Sequence, residues 1–411
     1  MRRRILEATR AVGGPVVMGV LARGGVLVQV VVASWALPRV EANLVVVAIA
    51  VSSAVQVLGD SGAVQFASIT PLADTGRSWW NRLTLHHLSV GLLGVAVATG
   101  IIAMSASQVS WSDSFGLLAL PVACFFESAV RLFRVPALLA AARTEYALGD
   151  GAVALARLVG AGSMALAGSS VGLWAGAACA AAASVLYWRR SLARLAAGVA
   201  AFASQRQVFL EVQRYGVPSL GAGIYSQAPA IVLAAAAPLD VAAAFAFATR
   251  FVQPLEVVAA TASQALLPRL AARRSGSRAL LVGFGGLGLV TALVAAGPVV
   301  LVLRWLDAPA AAAPTALVLL AGLAIKFVNY AVAAELTARQ MPLVRLRLTL
   351  SVAAASVVVL AVTSAVGTVA VACGIVLCET LLATAGVVIL RRTGAPAGPS
   401  ARVEAVEAGE A

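Results

Sequence analysis

Charge is what this chain lacks most. Only 11% of its 411 residues are Asp, Glu, Lys or Arg, and 61% are hydrophobic, where soluble domains carry roughly a quarter charged residues. No polar stretch long enough for a soluble domain separates the apolar runs, so a soluble fold is excluded. Lysine is nearly missing: Lys326 stands alone beside 29 arginines. Acidic residues number 17 and histidines 2, which leaves a formal charge of +13 and few groups for acid–base or metal chemistry. The four cysteines, Cys124, Cys179, Cys373 and Cys378, fall inside apolar segments without the spacing of a zinc or redox motif, and read as small buried residues. His86 and His87 have no third ligand in view. No metal site and no cofactor is therefore expected. No external loop is large enough to carry a catalytic centre, which disfavours an enzyme.

What is present is a recurrent apolar segment. Runs of about 20 residues each suffice to cross a hydrocarbon core of about 30 Å at 1.5 Å per residue. The pattern predicts an all-α integral membrane protein with twelve transmembrane helices near residues 12–36, 43–67, 83–105, 115–138, 146–167, 170–188, 215–237, 241–267, 279–303, 311–335, 344–365 and 369–390. Connections from odd to even spans hold 2 arginines, Arg39 and Arg304, while the other connections, the adjoining helix ends and the termini hold 24. By the positive-inside rule both termini are cytoplasmic and the chain sits in the cell membrane. The basic charge is thus distributed as a topology signal, not as a contiguous face for nucleic acid. The opening MRRRILEATRAVGGPVVMGVLARGG lacks a small-residue cleavage site, so the first helix is read as retained.

The longest internal connection divides the chain. Residues 1–190 are expected to form an N-terminal six-helix lobe, 191–214 an amphipathic linker on the inner leaflet, 215–392 a C-terminal six-helix lobe, and 393–411 a disordered cytoplasmic tail rich in Pro, Gly, Ala and Glu. The arginines of the linker favour anionic membrane lipids. A low-grade repeat supports the division: Leu37-Pro38-Arg39-Val40-Glu41-Ala42 and Pro238-Leu239-Asp240-Val241-Ala242 are short external turns at matching places in the two halves. Two halves of even span number share one orientation, with their symmetry axis along the membrane normal and a cavity between them.

Several ionisable residues lie deep in apolar segments, where a charge costs about 2.5–3.5 kcal/mol on insertion scales. The cations are Arg23, Arg157, Arg250 and Lys326; the acids are Glu127, Glu256 and Glu379, with Asp60 lower in its span. One reading pairs each cation with an acid of a neighbouring helix. The other lines a shared aqueous cavity with them, where arginine, with its planar fork of donors, suits phosphate. Glu127 and Arg131, four apart, are expected to pair on one helix. Arg250 and Glu256, six apart on the same helix, face about 120° away from each other and need separate partners. Gln29, Gln56, Tyr225 and Gln227 are candidates for sugar contacts or helix–helix bonds. Trp79 and Trp80, beside Arg77 and Arg82, are expected to anchor an interface.

Two blocks carry a family resemblance. VLARGGVLVQVVVASWALPRVEANLVVVAIAVSSAVQVLGDSGAVQFAS resembles the first two helices of the bacterial polysaccharide (oligosaccharidyl-lipid) flippases of the MOP superfamily, the MATE-like group. YGVPSLGAGIYSQAPAIVLAAAAPLDVAAAFAFATRFVQPLEVVAATASQALLPRLA resembles the start of that family's second lobe. The resemblance implies two six-helix lobes around a central cavity, alternating access, and a polyprenyl-pyrophosphate-linked oligosaccharide carried from the inner to the outer leaflet for cell-surface polysaccharide biosynthesis. It implies a pyrophosphate met by Arg23 and Arg250, with Arg157 and Lys326 contributing. Asp60, Glu256 and Glu379 would be contacts for a coupling ion, H⁺ or Na⁺, or for sugar, and polysaccharide-biosynthesis enzymes would be partners. The alternative is a MATE-like cation-coupled efflux pump, which typically places a carboxylate in the first helix. Here that helix offers Arg23.

Overall fold

A computed structural model describes residues 18, 21–60, 62–69, 76–106, 115–140, 142–195, 205–272, 277–339 and 341–392, apart from some side chains within those ranges. Of the expected linker, 191–214, residues 196–204 lie outside the described residues, as do the N-terminal segment up to 17 and the tail from 393; the linker's ends, 191–194 and 205–214, are helical and continue the flanking long helices. The protein is all-α. Its long helices, in chain order, are α1 (Leu21–Ala36), α2 (Arg39–Asp60), α3 (Arg77–Ser105), α4 (Phe115–Leu139, with a turn at Leu118 and another at Arg134), α5 (Arg143–Ala167) and α6 (Leu173–Arg194). The second half holds α7 (Gln205–Ala236), α8 (Leu239–Ala272), α9 (Ser277–Trp305), α10 (Ala312–Ala321 and Leu323–Ala338), α11 (Pro342–Ser364) and α12 (Thr368–Arg392). Among the described residues nine helices are individually long and apolar enough to cross a membrane, and the two segments of α10, bent by 45°, make a tenth span.

Helices are the form such a sequence must take. Hydrocarbon offers no partner for backbone N–H and C=O groups, so each segment satisfies them internally. Breaks fall where the sequence provides for them. Gly62 at φ 87° ends α2 before a short helix, Ala63–Ile69, and Gly322 marks the bend of α10. The α1–α2 and α7–α8 turns are built alike. Leu37 N–H reaches Ala33 O at 3.1 Å and Ala42 N–H reaches Pro38 O at 2.9 Å; two hundred residues on, Ala237 N–H reaches Leu233 O at 2.9 Å and Ala242 N–H reaches Pro238 O at 3.0 Å. In each, the proline sits where a helix start needs no N–H.

Outward faces are apolar, as lipid contact requires. Leu93 on α3, Leu293 and Val294 on α9, and Val358 and Val362 on α11 are all exposed. Inside the bundle, small residues bring helices close. A Cβ on Gly176 of α6 would stand 2.9 Å from Gly160 Cα of α5, so this crossing needs glycine on both sides.

The helices sort into two six-helix lobes. α2 packs against α3 and α4, α4 against α6, and α6 against α5; in the other set α7 packs against α11, α8 and α9 against α10, and α10 and α11 against α12. The lobes meet where α2 and α3 touch α7 and α8. At the arginine-poor end one core runs through both lobes, joining Val45 and Val51 of α2 and Ile102 of α3 to Phe245 and Phe247 of α8 and Leu320 and Phe327 of α10. Trp35 stacks edge-on against Trp305 there at 4.7 Å, and Ser105 Oγ donates to Ala234 O at 2.7 Å. At the arginine-rich end the described core divides in two. One part holds Phe66, Trp79, Trp80, Leu132 and Tyr187 with Val212 of α7; the other holds Val332, Leu336 and Leu390.

Trp79 and Trp80 correct an expectation. Each is 1% exposed, and they pack on each other and, through Trp79, on Phe66. They fill the N-terminal lobe's core instead of anchoring it at an interface, because α3 turns this face toward α2 and α4.

Candidate functional site

A cavity of 270 Å³ lies between the lobes. Its wall takes Arg23 from α1, Gln56 from α2, Arg131 from α4, Arg157 from α5, Gln227 from α7, Arg250, Gln253, Pro254 and Glu256 from α8, and Lys326 and Tyr330 from α10. The four deep cations read from the sequence thus stand on one wall, with a fifth, Arg131. Glu256 is the one carboxylate among the wall residues.

In the N-terminal lobe the charges are tied into a chain. Arg157 grips Glu127 with both arms of its fork, Nε to Oε1 at 2.8 Å and Nη2 to Oε2 at 2.6 Å, the strong bidentate form. Gln56 Nε2 donates to the same carboxylate, and Gln56 Oε1 accepts from Arg131 Nη2 at 2.8 Å. The expected local pair of Glu127 and Arg131 is therefore replaced: Glu127, 2% exposed, turns to α5, and the hydrogen-bonded link from Arg131 to Glu127 runs through Gln56. A bidentate partner across the interhelical gap outcompetes a monodentate one a turn away.

Arg23 and Arg250 have no such partner. Neither makes a salt bridge among the described residues. Arg23 Nη1 donates to Gln253 O at 3.3 Å, and Arg250 Nη2 to Ile49 O at 3.4 Å, both across the lobe boundary. Arg250 is 6% exposed and its Nε is unpartnered. The guanidiniums of Arg157 and Arg23 act on it with like charge. Proline at 254 has no N–H, so the carbonyl of Arg250 also loses its helical donor at the cavity wall.

The C-terminal lobe has its own charged set. Lys326 Nζ lies 2.8 Å from Glu256 Oε1 and 3.9 Å from Glu379 Oε1. Asn329 Nδ2 donates to Glu379 Oε2 at 2.6 Å and to its carbonyl at 3.0 Å. A second cavity, about 70 Å³, opens beside them with Tyr225, Thr249 and Glu379 on its wall. It shares Ser226, Gln253, Glu256 and Lys326 with the central cavity. The bend at Gly322 sets this geometry, because it lies one turn before Lys326 and the glycine itself borders the smaller cavity.

Of the remaining sequence candidates, Gln29 lies off the central wall. It borders a small N-terminal cavity of about 20 Å³ with Ser52 and Glu127. Asp60 ends α2, and its side chain lies outside the described residues. The sequence reading missed Arg131 as a cavity residue and Gln56 as the link between Arg131 and Glu127; their i and i+4 spacing pointed elsewhere. No group of three or more His, Cys, Asp or Glu fit to hold a metal occurs among the described residues.

No protein family matches the chain by sequence, and no curated protein does. Solved structures do share its fold. The MATE multidrug transporter DinF-BH, solved as a ligand complex, superposes with a TM-score of 0.61 at 16% identity, over 94% of this chain and 95% of that one. A MATE in complex with MaD3S gives 0.61 at 14% identity over 94% and 96%. A MOP superfamily transporter from Pyrococcus furiosus, described as having a binding pocket of reverse polarity that suggests a different function, gives 0.55 at 13% identity over 94% and 96%. The chain has the MATE-like fold, a multi-pass membrane bundle of two lobes.

Proposed function

We propose that the protein is a transporter that carries a polyprenyl-pyrophosphate-linked oligosaccharide from the inner to the outer leaflet of the cell membrane by alternating access. The carrying observation is Arg250, a buried guanidinium on the wall of the central cavity with one long carbonyl contact, an idle Nε and no carboxylate. A cation held so deep needs an anion, and the cavity is where one fits. Arg23 faces the same space from the other lobe, so one diphosphate would draw donors from both halves.

Other wall residues play supporting parts. Arg157 and Lys326, already paired, add positive field, Gln227 on the central wall would meet sugar hydroxyls, and Tyr225 on the adjoining smaller cavity would be a further contact, while Gln56 is committed to Glu127 and Arg131. A cavity of 270 Å³ takes the pyrophosphate and the first sugar, while the prenyl chain stays in lipid. The reverse polarity ascribed to the binding pocket of the Pyrococcus furiosus transporter supports the view that pocket polarity varies on this fold. A pump for cationic drugs is disfavoured, because the carboxylate on the central wall, Glu256, is engaged by Lys326.

Alternating access also has support in the packing. One core joins the lobes at the arginine-poor end, and the described core divides at the other. With the positive-inside orientation, the arrangement is closed to the outside. The N-terminal lobe to about residue 190 and the C-terminal lobe from about residue 215 would rock as units.

The test is complementation of a flippase-deficient strain supplied with its glycan pathway, scoring surface polysaccharide at matched membrane expression. Arg23→Ala and Arg250→Ala should each abolish or sharply reduce export, and Arg250→Lys should retain part of it. Full export by both alanine variants would overturn the reading.

A further inference from the structure

The chain has thirty basic residues and one of them is lysine. That lysine is the one placed between two carboxylates, one buried and one partly buried. Lys326 Nζ stands 2.8 Å from Glu256 of α8 and 3.9 Å from Glu379 of α12, so a single ammonium joins three helices. Glu379 is 5% exposed and also accepts from Asn329. The contrast with the N-terminal lobe is chemical. There an acid is met by the flat two-armed fork of Arg157; here two acids on different helices are met by a compact point charge on a flexible stem. A point charge among oxygens from separate helices is the arrangement a bound monovalent cation makes.

We propose that Lys326 is the resident cation of a monovalent-cation seat formed by Glu256 and Glu379, so that the chain itself supplies the charge that Na⁺ would otherwise bring. The wild-type protein then binds no Na⁺ at this place. The seat is continuous with the 70 Å³ cavity that Tyr225 and Thr249 border, so removing the lysine side chain leaves the two carboxylates facing an open, otherwise largely apolar space that small ions can enter. Because Lys326 and Glu256 also border the central cavity, the tether lies within reach of whatever that cavity carries. Its presence does not depend on what the substrate is, and the test below uses none.

The experiment measures thermal unfolding of the purified full-length protein in detergent, in choline chloride, sodium chloride or methylammonium chloride at matched ionic strength. Wild type should unfold at one temperature in all three. Lys326→Ala should be destabilised in choline and recover by several degrees in sodium or methylammonium, since an ion at ten times its Kd multiplies the folding constant about elevenfold. Lys326→Ala combined with Glu256→Gln should lose that recovery. A Lys326→Ala protein indifferent to all three salts would overturn the proposal. Should that variant fail to fold, radioactive Na⁺ binding to wild type decides: no saturable binding is expected, and saturable binding lost in Glu379→Gln would show a seat that Lys326 does not fill.

Discussion

The guanidinium of Arg250 crosses the boundary between the lobes to the carbonyl of Ile49, 3.4 Å away, and leaves its Nε without a partner. A charge so placed costs stability in the empty protein, because burial strips its water, the like charges of Arg157 and Arg23 act on it, and no acid among the described residues pairs with it. Arg250→Met should therefore leave the thermal midpoint unchanged or raise it. Arg157→Met should lower it, because Glu127 would be left buried without a counter-charge. Thermal unfolding in detergent compares the two. A loss of several degrees in Arg250→Met would show that the arginine holds the lobes together in the empty state.

The Arg157–Glu127 pair permits a sharper measurement. Removing one partner of a buried pair typically costs about 3–5 kcal/mol, while removing both often costs less. Glu127→Gln and Arg157→Met should each be strongly destabilising, and the double variant clearly less so than their sum, with a coupling of about 0.5–3 kcal/mol. Gln56 links the same carboxylate to Arg131, so Gln56→Leu should be destabilising as well. Additive single effects would mean that the pair contributes nothing as a pair.

Much of this architecture is legible in the sequence, for a physical reason. Lipid leaves a spanning segment few options, so hydrophobic length alone marks most helices, and a cation in such a segment must be functional or paired. Arg23, Arg157, Arg250 and Lys326 could be picked out on that ground, and the fold brings all four to one wall. Which cation is paired could not be read. The i, i+4 spacing favoured Glu127 with Arg131, but partner choice depended on how closely α4 approaches α5, a property of interhelical packing that no local spacing encodes. Trp79 and Trp80 were misplaced on the same ground: flanking arginines suggested an interface, while helix rotation buried both.

Close approach of α5 and α6 rests on two glycines. A Cβ on Gly176 would meet Ala156 O at 2.8 Å and Gly160 Cα at 2.9 Å, backbone atoms that cannot step aside. Gly176→Ala should push α5 from α6, disturb Arg157 on α5, and lower the thermal midpoint. Gly162→Ala, two residues beyond Gly160, meets nothing within 4 Å and should be neutral or stabilising, by at most about 1 kcal/mol, as alanine favours helix over glycine. Equal effects of the two would show that glycine acts through helix propensity and not through contact.

At the arginine-poor end, beyond the core that runs through both lobes, two specific contacts join them at the rim. Trp35 at the end of α1 meets Trp305 at the end of α9, ring centroids 4.7 Å apart, although both are well exposed. Arg39 and Asp307, still more exposed, lie 3.9 Å apart on adjacent turns, and such a pair contributes little in water. The tryptophans should therefore hold this end more than the ion pair does. If the lobes rock, this contact opens in every cycle. Trp35→Cys combined with Trp305→Cys, treated with a short bismaleimide linker, should crosslink readily and stop export in the complementation assay, and a long flexible linker should restore part of it. Each single cysteine variant should export normally after the same treatment. Undiminished export with the short crosslink in place would show that the two lobes do not part at this end, and a mechanism that alternates access through it would have to be abandoned.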